Sequence, residues 1–552
     1  MSTPHFDSYF SYLTQVVKFP GFLAALVTIF VVNRIWVFLH GLRSVHHLPG
    51  YRPPFHPMGL PAVLFPTTWW NTSLDVHWAR RSSLYTDNET ISIVPTLIGE
   101  PTIWTSNLNV ARQVASGGNR TAFFKPTWSA RAFLLWGLNL FAAEGEVWRK
   151  HRRVMGPAFS NELYRLVWRQ TLKTYHEMIA TEKWEEKGTV DIPVIQNLTF
   201  KLALQVLGTC AFGFPLSWDE PPRTASGSLS IQEVMHSVAD THMLRIIAPK
   251  WVLRLPFQKI QQSNVAYESM ASFMNEQVAG RKVEIQDNNS KDAFTLLVKA
   301  NEQEESKYKL SDDELVGIFY CPQRPPIIYH ISWRQIGNIF VMLFAGHETT
   351  ANALAATLGF LAINQDAQDE VVEQINEVVG HDRDPEFEDY QNLNKVLAAF
   401  FEALRFFPSG HILIREASED TILEIPNPRG QEGTTSMAIS KGQVVIVDMV
   451  GIQYNPRYFE NPTSYRPSRW HGMNNDSEDF TAFSVGPRAC IGRKFATTEV
   501  TCFLTMLLRD WKVTPKLNEG ESQEEWKTRV LDAKIVLTLG VRDVPLTFVK
   551  RK

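Results

Sequence analysis

The chain has 552 residues, more than one hydrophobic core usually serves, and its 44% hydrophobic and 12% aromatic content is enough for a large buried interior. A net charge of −3 supplies no basic field of the kind that draws nucleic acid, and the 31 prolines and 30 glycines are scattered rather than gathered into disordered tracts. The four cysteines (Cys210, Cys321, Cys490 and Cys502) form neither a disulfide framework nor a CxxC metal pair, which places the main body in a reducing compartment.

Residues Phe19 to Leu39 are mostly apolar and are interrupted by Asn33 and Arg34. A bilayer core takes about 20 residues of helix. The stretch therefore reads as a single anchor within residues 1–44, with Arg34 snorkelling or marking its end; a buried core helix is the competing reading. Arg34, Arg43 and Arg52 put the positive bias on the C-terminal side, which orients the main body toward the cytosol. A proline-rich tether follows over 45–54, and a single catalytic body over 55–552. Strand-like alternation marks 90–106, 412–448 and 529–549, while most of the remainder is helical in pattern. The expected fold class is mainly α with small β-sheets.

Trp148 and Arg152 stand four apart and so share a helix face, where an indole N–H and a guanidinium suit a carboxylate group. Lys150, His151 and Arg153 point elsewhere, as a docking patch or an ordinary solvated face. Residues 338 to 362 are apolar almost all round, the pattern of a helix buried in a large protein. Within them, Gly346, Glu348 and Thr349 break local rules, since a mid-helix glycine costs about 1 kcal/mol against alanine and a buried polar pair costs desolvation. Gly346 is expected to clear space for a small molecule, and Glu348 with Thr349 to relay protons; a satisfied core polar pair explains the latter two equally well. Glu402 and Arg405 form an i, i+3 pair between phenylalanines, a buried ion pair that needs further partners, for which Arg469 is the candidate. Cys490 lies in Phe483-Ser-Val-Gly-Pro-Arg-Ala-Cys-Ile-Gly492, where the glycines allow a tight turn and Arg488 lowers the thiol pKa. Taken alone, it is either a soft metal ligand or a small packed cysteine.

Four pieces in order, Ala345-Gly-His-Glu-Thr-Thr350, Glu402-Ala-Leu-Arg405, Tyr465-Arg-Pro-Ser-Arg-Trp470 and Phe483-x-x-Gly-x-Arg-x-Cys-x-Gly492, together with the Trp148/Arg152 pair, resemble the cytochrome P-450 monooxygenases of the membrane-anchored microsomal type. The resemblance spans roughly residues 45 to 552 and implies the family's triangular, mainly α prism. It implies Cys490 as axial ligand of the iron in haem b, Phe483 packed against it, and Gly486 and Gly492 shaping the loop. Trp148, Arg152, Arg415 and Arg488 are then expected at the haem propionates, Thr349 and Glu348 at proton delivery to O2, and Glu402, Arg405 and Arg469 as a structural lock. The implied reaction puts one atom of O2 into an apolar small molecule. Electrons come from an NADPH-dependent reductase docking near Lys150, Arg153, Arg493 and Lys494, with no flavin bound to this chain. By family position the pocket is expected from Phe133 to Leu138, Val341 to Ala345 and His411 to Leu413. The implied location is the endoplasmic reticulum membrane, facing the cytosol. A haem-thiolate peroxide isomerase or dehydratase is the rival chemistry, and Glu348 with Thr349 argue against it because it needs no proton relay.

One segment departs from the family pattern. Ser311-Asp-Asp-Glu314 is a capping box that should open a helix, yet residues 318–337 follow with Pro322, Pro325 and Pro326, which cannot sit inside one. Ser332 to Gln335 supplies a second start signal. Deleting the twenty residues 318–337 joins Gly317 to Asn338 in frame, and the glycine at each edge fits a splice inside one codon. The segment is thus expected to be a retained intron, with a surface insertion or an inactive haem-binding product as alternatives.

Overall fold

Local chemistry sets the elements and their ends. The computed structural model describes residues 20–115, 122–134, 138–214, 216–219, 230–231, 233–235, 237–238, 241, 251–284, 337–473, 480–535 and 538–551. In chain order the elements that matter are α1 (Pro20–Ser44), β1 (Gly50–Tyr51), β2 (Thr90–Ile93), β3 (Thr102–Thr105), α2 (Gly145–Met155), α3 (Asn161–Thr181), β4 (Thr189–Ile192) and α4 (Ile195–Phe212). There follow α5 (Gly337–Ile363), α6 (Asn394–Phe406), β5 (Thr421–Pro426), β6 (Thr434–Ile439), β7 (Val444–Asp448), α7 (Arg493–Asp510) and β8 (Trp511–Pro515). The last are α8 (Gln523–Val530), β9 (Ala533–Ile535), β10 (Leu539–Val541) and β11 (Leu546–Lys550). The capping box at Ser311, Cys321 and the segment 318–336 lie outside the described residues.

The chain forms two units, and the first comprises Met1–Ala111 and Glu416–Gly451. Its sheet runs β1 parallel to β2, β2 antiparallel to β3, and β3 parallel to β7, with β5 and β6 as a separate hairpin. The proline-rich segment is bonded along this sheet: Ser92 N–H donates to Pro49 O at 2.8 Å and Thr96 N–H to Pro53 O at 2.8 Å. From Phe22 to Ser44, α1 is 23 residues of mean hydropathy 2.2, long and apolar enough to cross a bilayer, and its apolar side chains from Phe22 to Val32 are exposed. Its later half is held to the sheet. Arg34 donates to Leu97 O at 2.6 Å, and a Cβ at Gly41 would meet Pro101 Cγ at 2.8 Å.

The second unit comprises Arg112–Arg415 and Ile452–Lys552 and holds every residue of the expected haem site. Helix α5 runs through it with Leu343, Phe344, Ala351, Leu354, Leu358 and Leu361 buried, as its all-round apolar sequence predicts. Thr199 of α4 donates to Ala351 O at 3.0 Å, fixing the crossing of those two helices. Asn338 ties the first turn of α5 to the α2 region: its Oδ1 accepts from Leu140 N–H at 2.8 Å and its Nδ2 lies 2.9 Å from His151 Nδ1. Strands β8, β11 and β4 form an antiparallel sheet, and β9 and β10 a hairpin. A capping box at Ser522 and Glu525 opens α8. Cys210 and Cys502 are buried inside α4 and α7.

Candidate active site

The cysteine loop is built backward from α7. A 3-10 turn over Thr481–Phe483 ends in Ser484 at φ +71°, and Gly486 at φ +76° turns the chain again, a left-handed conformation that favours glycine. Cys490 N–H then donates to Phe483 O at 2.9 Å, closing the loop on the phenylalanine expected to pack there. Gly492 has an ordinary φ of −85°, a Cβ there would sit 3.9 Å from Cys490 Sγ, and its backbone N–H reaches the sulfur. Arg493 N–H does the same, so the thiol lies at the N-terminus of an 18-residue helix. Crowding by the protein raises the Cys490 thiol on balance; those N–H groups and the charges of Arg152 and Arg493 pull it only part of the way back toward thiolate. The residue itself is exposed, unlike Cys210 and Cys502.

A cationic cluster stands in the same unit. Arg488 lies over the Trp148 ring at 4.6 Å, donates to Ala143 O at 2.9 Å and pairs with Glu144 at 2.7 Å. Burial and the Arg488 charge push Arg415 down to about 10, Glu144 opposing them. Lys125, whose ammonium donates to Phe141 O and sits over that ring, is pushed well down by burial and by the charges of Arg415 and Arg488. Three cations thus share one nearby carboxylate, a donor set suited to a dianionic group. Trp148, Arg415 and Arg488 meet here as expected. Lys125 is a member that sequence reasoning missed, since a lone lysine after Phe123-Phe124 carries no spacing signal.

On α5, Ala345 is exposed and Thr349 half-buried among buried neighbours, which marks the accessible stripe of the helix. The Thr349 hydroxyl donates to Ala345 O at 2.6 Å, leaving its oxygen lone pairs as acceptors. Glu348 is buried and its Oε1 accepts from Thr538 at 2.7 Å. Gly346 does not clear the space expected of it. A Cβ there would meet Leu207 Cδ2 at 2.7 Å, so this glycine serves the close approach of α4. Of the expected pocket, Phe133 lies 6.1 Å from Phe344 ring to ring, His411 is buried, and residues 135–137 lie outside the described residues.

Behind the loop, Glu402 and Arg405 are fully buried. Glu402 accepts from Arg405 Nε and Nη2 at 3.0 Å each, Arg469 Nε at 3.2 Å, Arg466 N–H at 3.0 Å and Trp470 Nε1 at 2.9 Å. The expected triad is present with Trp470 as a further member. Phe401 carries it to the cysteine loop, stacked on Phe480 at 4.4 Å and edge-on to Phe483 at 6.4 Å.

These features fit a haem: an exposed cysteine at a helix N-terminus, excess cations for the propionates, and a polar step in an apolar helix. They define the haem-thiolate class of proteins. The Cytochrome P450 family model matches residues 97–319 and 336–538. The chain is similar to cytochrome P450 monooxygenase 124 of Postia placenta, 34% identical over 78% of this chain and 80% of the relative. It is also similar to cytochrome P450 4F5 of Rattus norvegicus, 25% identical over 70% of this chain and 71% of the relative, and to cytochrome P450 4F12 of Homo sapiens, 23% identical over 80% and 81%. The chain belongs to the cytochrome P450 family. It is an oxidoreductase of the P450 monooxygenase type, a class that uses a haem-thiolate cofactor, O2 and a redox partner.

Proposed function

We propose that this protein uses haem b and electrons from an NADPH-dependent flavin reductase to oxidise an apolar small molecule, anchored by α1 in the endoplasmic reticulum membrane with its catalytic body in the cytosol. The observation that carries the reading is Cys490 at the start of α7, with the N–H groups of Gly492 and Arg493 directed at its sulfur. When bound, the haem supplies dioxygen activation. The residues of this chain do the rest. Cys490 ligates the iron, and Gly492, Arg493 and Arg152 favour its thiolate. Phe483, whose carbonyl accepts the Cys490 N–H, would pack against the sulfur, with Gly486 turning the loop that carries both. Trp148, Arg415, Arg488 and Lys125, with Arg152, would hold the propionates. Thr349, its own proton committed to Ala345 O, accepts a hydrogen bond from water, and Glu348 behind it supplies protons. Arg493 and Lys494 beside the thiolate, with Lys150 and Arg153 on α2, offer positive charge to an acidic reductase.

Reducing the purified protein under carbon monoxide tests the ligand. A long-wavelength Soret band is expected, and its absence in a folded, haem-loaded sample overturns the assignment of Cys490. NADPH consumption that depends on added reductase and yields oxidised product separates a monooxygenase from a peroxide isomerase.

The break in the family match between 319 and 336 marks an insertion relative to the family, which the retained-intron reading of residues 318–337 and a surface insertion both require. An intron begins GT and ends AG. Splitting Gly317 and Gly337 meets that rule if Gly317 is encoded GGT and Ile336 ATA. That excision brings Leu315 within a few residues of Asn338, whose bonds to Leu140 and the His151 ring fix the start of α5. Sequencing mature transcripts decides it: a population in which every message keeps the segment removes the intron reading and leaves a surface insertion.

A further inference from the structure

Glu348 is held from a point 190 residues later in the chain. Thr538, in the turn between β9 and β10, donates its hydroxyl to Glu348 Oε1 at 2.7 Å. The hairpin behind that hydroxyl is fixed from three directions. Leu539 N–H donates to Ser409 O at 3.1 Å. Gln196 of α4 spans the far end, donating to Arg542 O at 2.7 Å and accepting from Val544 N–H at 3.1 Å. Gly540 lies against α5 itself, so close that a Cβ would meet Asn352 Cγ at 2.8 Å. Asn352 is one turn beyond Glu348 on the same helix face. A side chain at position 540 would have to displace the Asn352 amide, so Gly540 fits the close approach of β10 to α5 beside Glu348. A glutamate has three side-chain torsions to order, and a fixed donor on one oxygen selects among their rotamers.

We propose that Thr538 is a positioning residue for Glu348: its hydroxyl, delivered by the β9–β10 hairpin, holds the carboxylate in the orientation from which the other oxygen serves Thr349 and its water. The inference rests on the reading of Glu348 as a proton donor, and it assigns no contact between Thr538 and the haem.

The test uses the full-length, haem-loaded enzyme with reductase and NADPH and no added organic substrate. Reduced dioxygen then leaves as hydrogen peroxide or, with further electrons and protons, as water. A carboxyl that is out of position delivers protons late, so the peroxide released per NADPH rises. Thr538→Val, close in shape and lacking the hydroxyl, is expected to raise that yield at least twofold, as Glu348→Gln does, and to change the solvent deuterium isotope effect on NADPH oxidation. Thr538→Ser, which keeps the hydroxyl, is expected to restore both to wild-type values. A readout independent of turnover accompanies this. The melting-temperature losses of Thr538→Val and Glu348→Ala should be non-additive in the double variant, because each removes the same hydrogen bond. If Glu348→Gln leaves the peroxide yield unchanged, the proton role of Glu348 falls and this inference with it. If Glu348→Gln raises the yield and Thr538→Val does not, the inference alone falls. Thr538→Ala is read the same way, and loss of haem loading in both hydroxyl-free variants overturns the proposal in favour of a purely structural contact.

Discussion

The Glu402 carboxylate and the Arg405 guanidinium face each other as a two-pronged pair, 3.0 Å at each prong, with neither side chain exposed. Such geometry is specific to a planar fork, and Arg405 also donates to Gln453 O at 2.8 Å. Removing one partner strands the other charge in the interior. Glu402→Ala is therefore expected to destabilise the fold by about 3–5 kcal/mol and to abolish haem incorporation. Arg405→Lys should behave nearly as badly, because an ammonium cannot make both prongs. Thermal melts and haem-to-protein ratios check this, and a well-folded, haem-loaded Arg405→Lys protein would refute it.

Gly346 makes a sharper test of what the helix interior is for. With Leu207 Cδ2 only 2.7 Å from where a Cβ would stand, Gly346→Ala should push α4 away and cost about 1–3 kcal/mol, despite alanine's better helix propensity. Leu207→Ala should reopen the room, so the double variant loses less than the sum of the two single changes. If Gly346→Ala is neutral or stabilising on its own, close packing of α4 on α5 is not why glycine stands there.

In the first unit, Asp448 is fully buried at the end of β7, its Oδ1 accepting from Gly451 N–H at 2.8 Å and its Oδ2 from the Tyr85 hydroxyl at 3.0 Å. Burial raises its carboxyl to about 7, against the pull of the Gly451 and Val450 amides and of Tyr85. The folded state therefore binds this proton more tightly than the unfolded chain does. The associated stability is full below the unfolded value near 4 and is lost as pH rises through about 7, on the order of a few kcal/mol. Asp448→Asn carries a neutral group at every pH, so between pH 5 and 8 its melting temperature should fall less than that of the wild type. Parallel melting curves for the two proteins would show that Asp448 does not titrate in this range.

How much of the site could be read in the chain depends on how local each part is. The Cys490 loop, the Glu402–Arg405 pair and the Trp148–Arg152 face lie within ten residues of sequence each, and their spacing alone places their members together. Buried apolar helices such as α5 declare themselves by having no polar face. Partners supplied by tertiary approach leave no such trace. Thr538 reaches Glu348 across 190 residues, and Trp470, next to Arg469 in the chain, reaches Glu402 across 68. Gly346 was legible as an exception but its direction was not, because a helix position reveals its neighbour only when the opposing helix is in place.

Removing the Lys125 charge should have effects of opposite sign with and without haem. In the protein alone Lys125 adds a third positive charge beside Arg415 and Arg488, which already share Glu144. Like charges held together destabilise, so Lys125→Met should raise the melting temperature of the haem-free protein. Once propionates are present the same ammonium gains a charge-assisted contact, and its loss should weaken haem binding by roughly tenfold, the equivalent of about 1.5 kcal/mol. Haem transfer to apomyoglobin measures the second effect and calorimetry of the haem-free form the first. A lysine that merely packed on Phe141 would lower stability in both forms when removed, so the crossing of signs is what distinguishes a propionate ligand from a surface contact.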